Sequence, residues 1–141
     1  MKGRLHYDSP YGSAEMVADA IGKEVNMIKE ALLPAYMPEG IALMFLGCEG
    51  TKADKTTLGF ISTMNPKRVA NAALFCCNAK KSDNAINQMR DALKAVGVNV
   101  LDEAYVCNGK GGLFSGGKHP NADELAAAAK WARACVNKIS D

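Results

Sequence analysis

Aromatic residues are scarce in this sequence, at 6% of 141 residues. Basic residues are dispersed, with small clusters only at Lys52 to Lys55 and at Lys80-Lys81, and neither cluster is interleaved with aromatics. The footprint of a nucleic-acid binder is therefore missing. A net charge of +2 supplies no strong field for an acidic or basic partner. No apolar run approaches the roughly 20 residues that a membrane helix needs, which excludes membrane insertion by that route. Only two histidines occur, His6 and His119, and neither stands at zinc-ligand spacing from a cysteine. Cys-x-x-Cys is absent as well, so no metal site is expected. The five cysteines, Cys48, Cys76, Cys77, Cys107 and Cys135, are odd in number and argue for reduced thiols over a disulfide framework. Met1-Lys2-Gly3-Arg4 runs straight into Leu5-His6-Tyr7-Asp8, without the longer apolar stretch of a signal peptide. The expected compartment is the cytoplasm.

What the sequence does have is apolar content, 48% of residues, and a length suited to one domain spanning residues 1–141. Short apolar runs alternate with helical stretches. Leu5-His6-Tyr7 ends at the turn cluster Ser9-Pro10-Tyr11-Gly12, after which Ser13 is expected to cap a helix carrying Val17, Ala20 and Ile21 on one face. Gly22 is expected to end that helix. A weak strand follows over Glu24 to Ile28, then a broken helix or loop from Ala31 to Gly40, interrupted by Pro34 and Pro38.

Ile41 to Leu46 reads as a strand covered on both faces, terminated by Gly47-Cys48-Glu49-Gly50-Thr51. Asp54 caps a helix with Leu58, Ile61 and Met64, and Asn65-Pro66 ends it. Val69 to Cys77 is a second central strand. Ser82 caps a helix bearing Ile86, Met89, Leu93 and Val96, closed by Gly97, and Val98 to Cys107 supplies a fifth strand. A glycine-rich loop from Asn108 to Lys118 follows. Asn121 and Glu124 form a capping box for a last helix whose buried stripe is Leu125, Ala128, Ala129, Ala132, Val136 and Ile139. This alternation predicts an α/β fold, with a five-stranded parallel sheet in the order 2-1-3-4-5 and helices on both faces. A ligand belongs beyond the carboxyl ends of the strands, at the switch between the first and third.

The first strand-to-helix turn, Ser9-Pro10-Tyr11-Gly12-Ser13-Ala14, combines small and hydroxylated residues with a helix N-terminus, where backbone N–H groups converge on an anion. Read by itself, it is equally an ordinary capped turn. Gly112 to His119 approaches a P-loop, but His119 stands where the Mg²⁺-binding hydroxyl belongs.

Ser9 to Ala18 resembles the flavodoxin phosphate loop, a Ser/Thr-x-Thr-Gly-x-Thr pattern that grips the phosphate of FMN. Ser9, Gly12 and Ser13 match its small or hydroxylated positions, while Tyr11 and Ala14 stand in place of its threonines. The resemblance implies a flavodoxin-like three-layer sandwich that binds FMN and relays electrons to redox partner proteins. It also implies ring contacts from the loops after the third and fourth strands, which makes Gly47, Cys48, Glu49, Asn78 and Ala79 cofactor-site candidates. Neither loop offers the aromatic that commonly stacks on the flavin ring. No catalytic acid–base pair stands out, as suits a carrier.

Two other functions stay open: a flavodoxin-fold accessory or interaction module with weak or no flavin binding, and a small FMN-dependent reductase with Cys48, Tyr7 or His6 near the ring. A phosphoacceptor receiver would suit Asp8 and Lys110 but lacks an aspartate after Leu46. Cys48, in a loop flanked by glycine, is the thiol expected to react fastest.

Overall fold

Two strands of nine residues each, β3 (Ile41–Glu49) and β4 (Val69–Cys77), form the centre of the sheet. Their side chains alternate between two cores, as the two-residue period of a strand requires. Leu43 and Phe45 of β3, with Ala73, Phe75 and Cys77 of β4, face one side. Met44, Leu46 and Cys48, with Ala72, Leu74 and Cys76, face the other. Because both faces are covered, both strands are almost wholly apolar.

The computed structural model describes residues 1–32, 37–108 and 119–140. Around the central pair lie β1 (Gly3–Tyr7), α1 (Ser13–Val25), β2 (Lys29–Ala31), α2 (Lys55–Ser62), α3 (Asn84–Ala95), β5 (Asn99–Val100), β6 (Tyr105–Cys107) and α4 (Ala122–Ser140). Each strand pairing is parallel, in the order β2-β1-β3-β4-β5, with β6 also on β4. The expected order 2-1-3-4-5 is the order found. The fifth position, however, is shared by two short strands: Asn71 pairs with Asn99 and Phe75 with Tyr105, while residues 101–104 leave the sheet between them.

α1 and α4 cover one face. Val17, Ala18 and Ile21 of α1 and Ala128, Ala132 and Cys135 of α4 are buried against Leu5, Phe45 and Phe75. Trp131 meets Phe45 nearly edge-on, at 5.6 Å and 72°, a favoured aromatic geometry. α2 and α3 cover the other face with Phe60, Ile61, Ile86, Met89 and Leu93. A fully buried Leu, Ile, Met or Phe contributes about 1.5–3 kcal/mol, so these two layers hold the sheet between them.

Local signals were kept where their partners lie within a few residues. Thr57 N–H donates to the Asp54 carboxylate at 2.8 Å. Asn121 and Glu124 exchange both bonds of the capping box, at 2.9 and 3.0 Å. Four local expectations were displaced. β2 is Lys29–Ala31, because Glu24 and Val25 continue α1 and Ile28 is exposed. Gly22 lies inside α1, where its carbonyl accepts from the left-handed Asn26 and from Met27, closing the helix four residues later. A Cβ there would lie 2.5 Å from the Met27 carbonyl oxygen, so the glycine serves close packing. Asp83 is the residue before α3, without a side-chain cap, while Ser82 Oγ accepts from Asn84 N–H at 3.2 Å. Gly12, with φ at 91°, precedes α1, and Ser13 is its first residue. Pro34 and the glycine-rich stretch 109–118 lie outside the described residues. Among the described residues, no helix is long and apolar enough to cross a membrane.

Candidate functional site

At the carboxyl edge of the sheet, β1 and β3 run side by side, with Tyr7 level with Gly47. The chain then leaves β1 through Asp8, whose N–H donates to the Gly47 carbonyl at 3.0 Å. It turns at Gly12, whose positive φ of 91° is strained for residues with a Cβ, and enters α1. Met16 N–H closes the first helical turn on the Gly12 carbonyl. The N–H groups of Tyr11 and Ala14 and the hydroxyls of Ser9 and Ser13 converge at the end of β3.

One side chain receives them. The carboxylate of Glu49, the last residue of β3, accepts from Ser9 Oγ at 2.6 Å, Ser13 Oγ at 2.8 Å and Ala14 N–H at 2.8 Å, all through Oε2. Its Oε1 accepts from Tyr11 N–H at 2.7 Å. Ser9 Oγ in turn accepts from Glu15 N–H at 2.9 Å, which fixes the hydroxyl rotor toward the carboxylate. Four donors therefore meet one anion at a helix N-terminus, where the dipole adds to charge-assisted bonds. Of the residues expected at this turn, Ser9, Tyr11, Ser13 and Ala14 supply the donors and Gly12 the backbone geometry. Pro10 has no N–H to give. The Tyr11 ring, 70% exposed, takes no part. Glu49, expected at the ring edge, directs its carboxylate into this turn from the end of β3.

Two further carboxyls stand nearby. Asp8 is pushed up to about 7, chiefly by its hydrogen bond with Asp54, then by burial and by repulsion from Asp54 and Glu49. Asp54 is held below the usual carboxylate range, first by the same bond. One proton shared by the pair near neutrality accounts for both directions. Among the described residues, no group of three or more His, Cys, Asp or Glu is placed to hold a metal.

The ring-side candidates are distributed differently. β3 runs to Glu49, so Gly47 and Cys48 are strand residues and not loop residues. A Cβ on Gly47 would strike the Phe75 ring at 2.0 Å; this glycine makes room for an aromatic on the α1/α4 face. Cys48 is 1% exposed, and its thiol donates to Cys76 Sγ at 3.8 Å. That bond, with burial, pushes the Cys48 thiol up, so the expectation of a reactive loop cysteine gives way to a buried, protonated thiol. Cys77 and Cys107 are likewise buried, with sulfurs 3.3 Å apart. Asn78 is buried and bonded within its own turn: Oδ1 accepts from Ser82 N–H at 2.8 Å and Lys80 N–H at 3.2 Å, and Nδ2 donates to the Ser82 carbonyl at 3.0 Å. Ala79 is exposed on that turn.

His6 is fully buried against Phe60, with ring centroids 5.2 Å apart, and burial lowers its pKa. Tyr7 donates its hydroxyl to Glu15 at 3.2 Å. None of the three groups considered for a reductase is set as a free acid or nucleophile. A hollow of about 610 Å³ lies at the opposite end of the sheet, between Lys2, Arg4, Met27, Ile28 and Val136. It lies far from the Glu49 cluster and at the end of the strands where this topology does not place its ligands.

No protein-family model matches the chain, and no curated protein sequence does. Its likeness is to solved structures. A flavodoxin from the domain Archaea aligns at TM-score 0.73 and 16% identity, over 100% of both chains. Oxidised flavodoxin 2 from Bacillus cereus aligns at 0.71 and 14%, over 98% of this chain and 99% of that one. Rubredoxin oxygen:oxidoreductase from Desulfovibrio gigas aligns at 0.72 and 11%, over 99% of this chain and 36% of that one. The fold is that of the flavodoxins.

Proposed function

We propose that this chain is a flavin-binding electron-transfer protein that takes FMN at the carboxyl edge of the sheet, its phosphate directed to the turn from Ser9 to Ala14. The observation behind this reading is the convergence of two backbone N–H groups and two serine hydroxyls on one anion, at the topological switch between β1 and β3. The donor set suits a phosphate, because a carboxylate already stands where an anion belongs. FMN, when bound, supplies the one- and two-electron chemistry. The chain's part is to bind and orient it. Ser9, Tyr11, Ser13 and Ala14 hold the anionic end, and Gly12 admits the close backbone turn. The edges after Glu49 and Asn78, including Gly50, Thr51 and Ala79, would border the ring. His6, Cys48 and Cys76 stay buried and take no proton from a substrate, which suits a carrier serving partner proteins.

Titration of FMN into the protein, followed by flavin fluorescence and the visible spectrum, tests this reading. Saturable binding is the expected result, and in a Glu49→Ala background, where phosphate alone claims the donors of the turn, Ser13→Ala should weaken it about tenfold or more, since a hydrogen bond to a charged group is worth about 1.5–3 kcal/mol. Undiminished affinity in that double variant overturns the phosphate assignment. A second reading, an accessory module of the same fold without flavin, is favoured by the Glu49 carboxylate that already satisfies the loop. Protein that stays colourless and ignores both FMN and riboflavin selects it.

A further inference from the structure

We infer that Glu49 is a specificity-determining residue: a tethered anion that competes with phosphate for the first turn and erases the preference for FMN over riboflavin. The inference rests on the flavin reading above and deepens it.

Its basis is that one set of donors has two claimants. Both oxygens of Glu49 are engaged, by Ser9 Oγ, Ser13 Oγ and Ala14 N–H on one side and Tyr11 N–H on the other. A phosphate group entering the turn needs these same hydrogens. It would also bring a second negative charge against the first, with the carboxyls of Asp8 and Asp54 close by. Both anions cannot be held at once, so phosphate enters only when Glu49 swings out.

The position of Glu49 favours its staying. Its backbone is fixed by register with Cys77 on β4, and Gly50, at φ 87°, donates its N–H to the Cys77 carbonyl at 2.9 Å. The carboxylate is therefore held within reach of the loop by a few side-chain bonds, at a high effective concentration. An occupant that fills the turn for about 90–99% of the time raises the apparent Kd of a phosphate ligand about 10- to 100-fold. Riboflavin has no phosphate and leaves Glu49 in place.

The test measures FMN and riboflavin affinities by fluorescence titration for wild type, Glu49→Ala and Glu49→Gln. A parallel arm follows inorganic phosphate by ³¹P line broadening, and the amide shifts of Tyr11 and Ala14 report whether the carboxylate has left. Wild type is expected to bind the two flavins with affinities within about threefold of each other, because Glu49 offsets the phosphate contribution. Glu49→Ala is expected to gain about tenfold or more for FMN alone, with Glu49→Gln in between and riboflavin unchanged. A ratio of FMN to riboflavin affinity that neither variant moves overturns the inference. If no variant binds either flavin, but inorganic phosphate binds Glu49→Ala and not wild type, the flavin reading fails and the role of Glu49 stands. If phosphate also ignores both variants, both fall. Glu49→Gln keeps the size and most hydrogen bonding of the side chain, so the comparison survives should the alanine variant fold poorly.

Discussion

Two loops at the ligand edge, Ser9 to Ala14 after β1 and Asn78 to Ser82 after β4, are similar in length and polarity but bonded in opposite ways. The Asn78 turn closes on itself: one buried amide takes two N–H groups and gives one hydrogen to a carbonyl, all within four residues. The Ser9 turn aims its donors outward and is satisfied by Glu49, 35 to 40 residues away. A turn bonded within itself is a structural part and resists exchange. A turn whose donors are met by one side chain from a distant strand can change occupant without unfolding. The difference separates scaffold from candidate site more sharply than composition does.

Substitution at the two turns should separate them by stability. Asn78→Ala leaves the N–H groups of Ser82 and Lys80 without their acceptor beside a buried strand end, and should cost about 1–3 kcal/mol, read as a lower midpoint of urea unfolding. Ser9→Ala, on a turn that water can reach, should cost about 0.5–1.5 kcal/mol and should act mainly on anion binding. A larger loss at Ser9 than at Asn78 would reverse the comparison.

Asp8→Asn sharpens it through pH. The folded pKa of Asp8 is about 7, against 3.8 for the ordinary group. Between those values the unfolded chain has lost the proton that the folded chain keeps, so this group's contribution declines as pH rises through that window. An asparagine amide can still donate to Asp54 and carries no such penalty. The variant should therefore gain on wild type from about pH 4 to 7 and keep a constant advantage above. Urea unfolding at a series of pH values measures the gap, and a gap that widens toward acid would refute the shared proton.

The smallest effect is expected at the thiols. Cys48, Cys76, Cys77 and Cys107, each at most 2% exposed, lie in strands beneath both turns. Their labelling by a thiol reagent in native buffer should be slow, and all five thiols, free in the structure, should count after denaturation. Fast native labelling of Cys48 would show that the end of β3 opens with the Glu49 turn.

Periodicity and turn chemistry carried the alternation of elements, the strand order, the Asp54 cap and the Asn121–Glu124 box, because each depends on residues a few positions apart or on an apolar run long enough to be buried on both faces. The same reasoning misjudged the start of β2 and the end of α1. There Asn26, and not Gly22, takes the left-handed conformation, and a glycine needed for packing resembles a glycine needed for a cap. It also ended β3 at Leu46. Gly47 and Cys48 look like loop residues along the chain, yet Gly47 yields space to Phe75 and Cys48 meets Cys76, both across the sheet.

By itself, then, the sequence determined that this protein has a parallel sheet layered with helices and an anion-suited turn after its first strand, since apolar period, capping and glycine placement act over one turn of chain. Only the tertiary structure decided what fills that turn. β1 and β3 must lie side by side before Glu49 can reach Ser9, and Asp8 must come beside Asp54 before the two can share a proton. Hydrogen bonds and charges act through space over a few ångströms, and the neighbours they select are set by strand order and register.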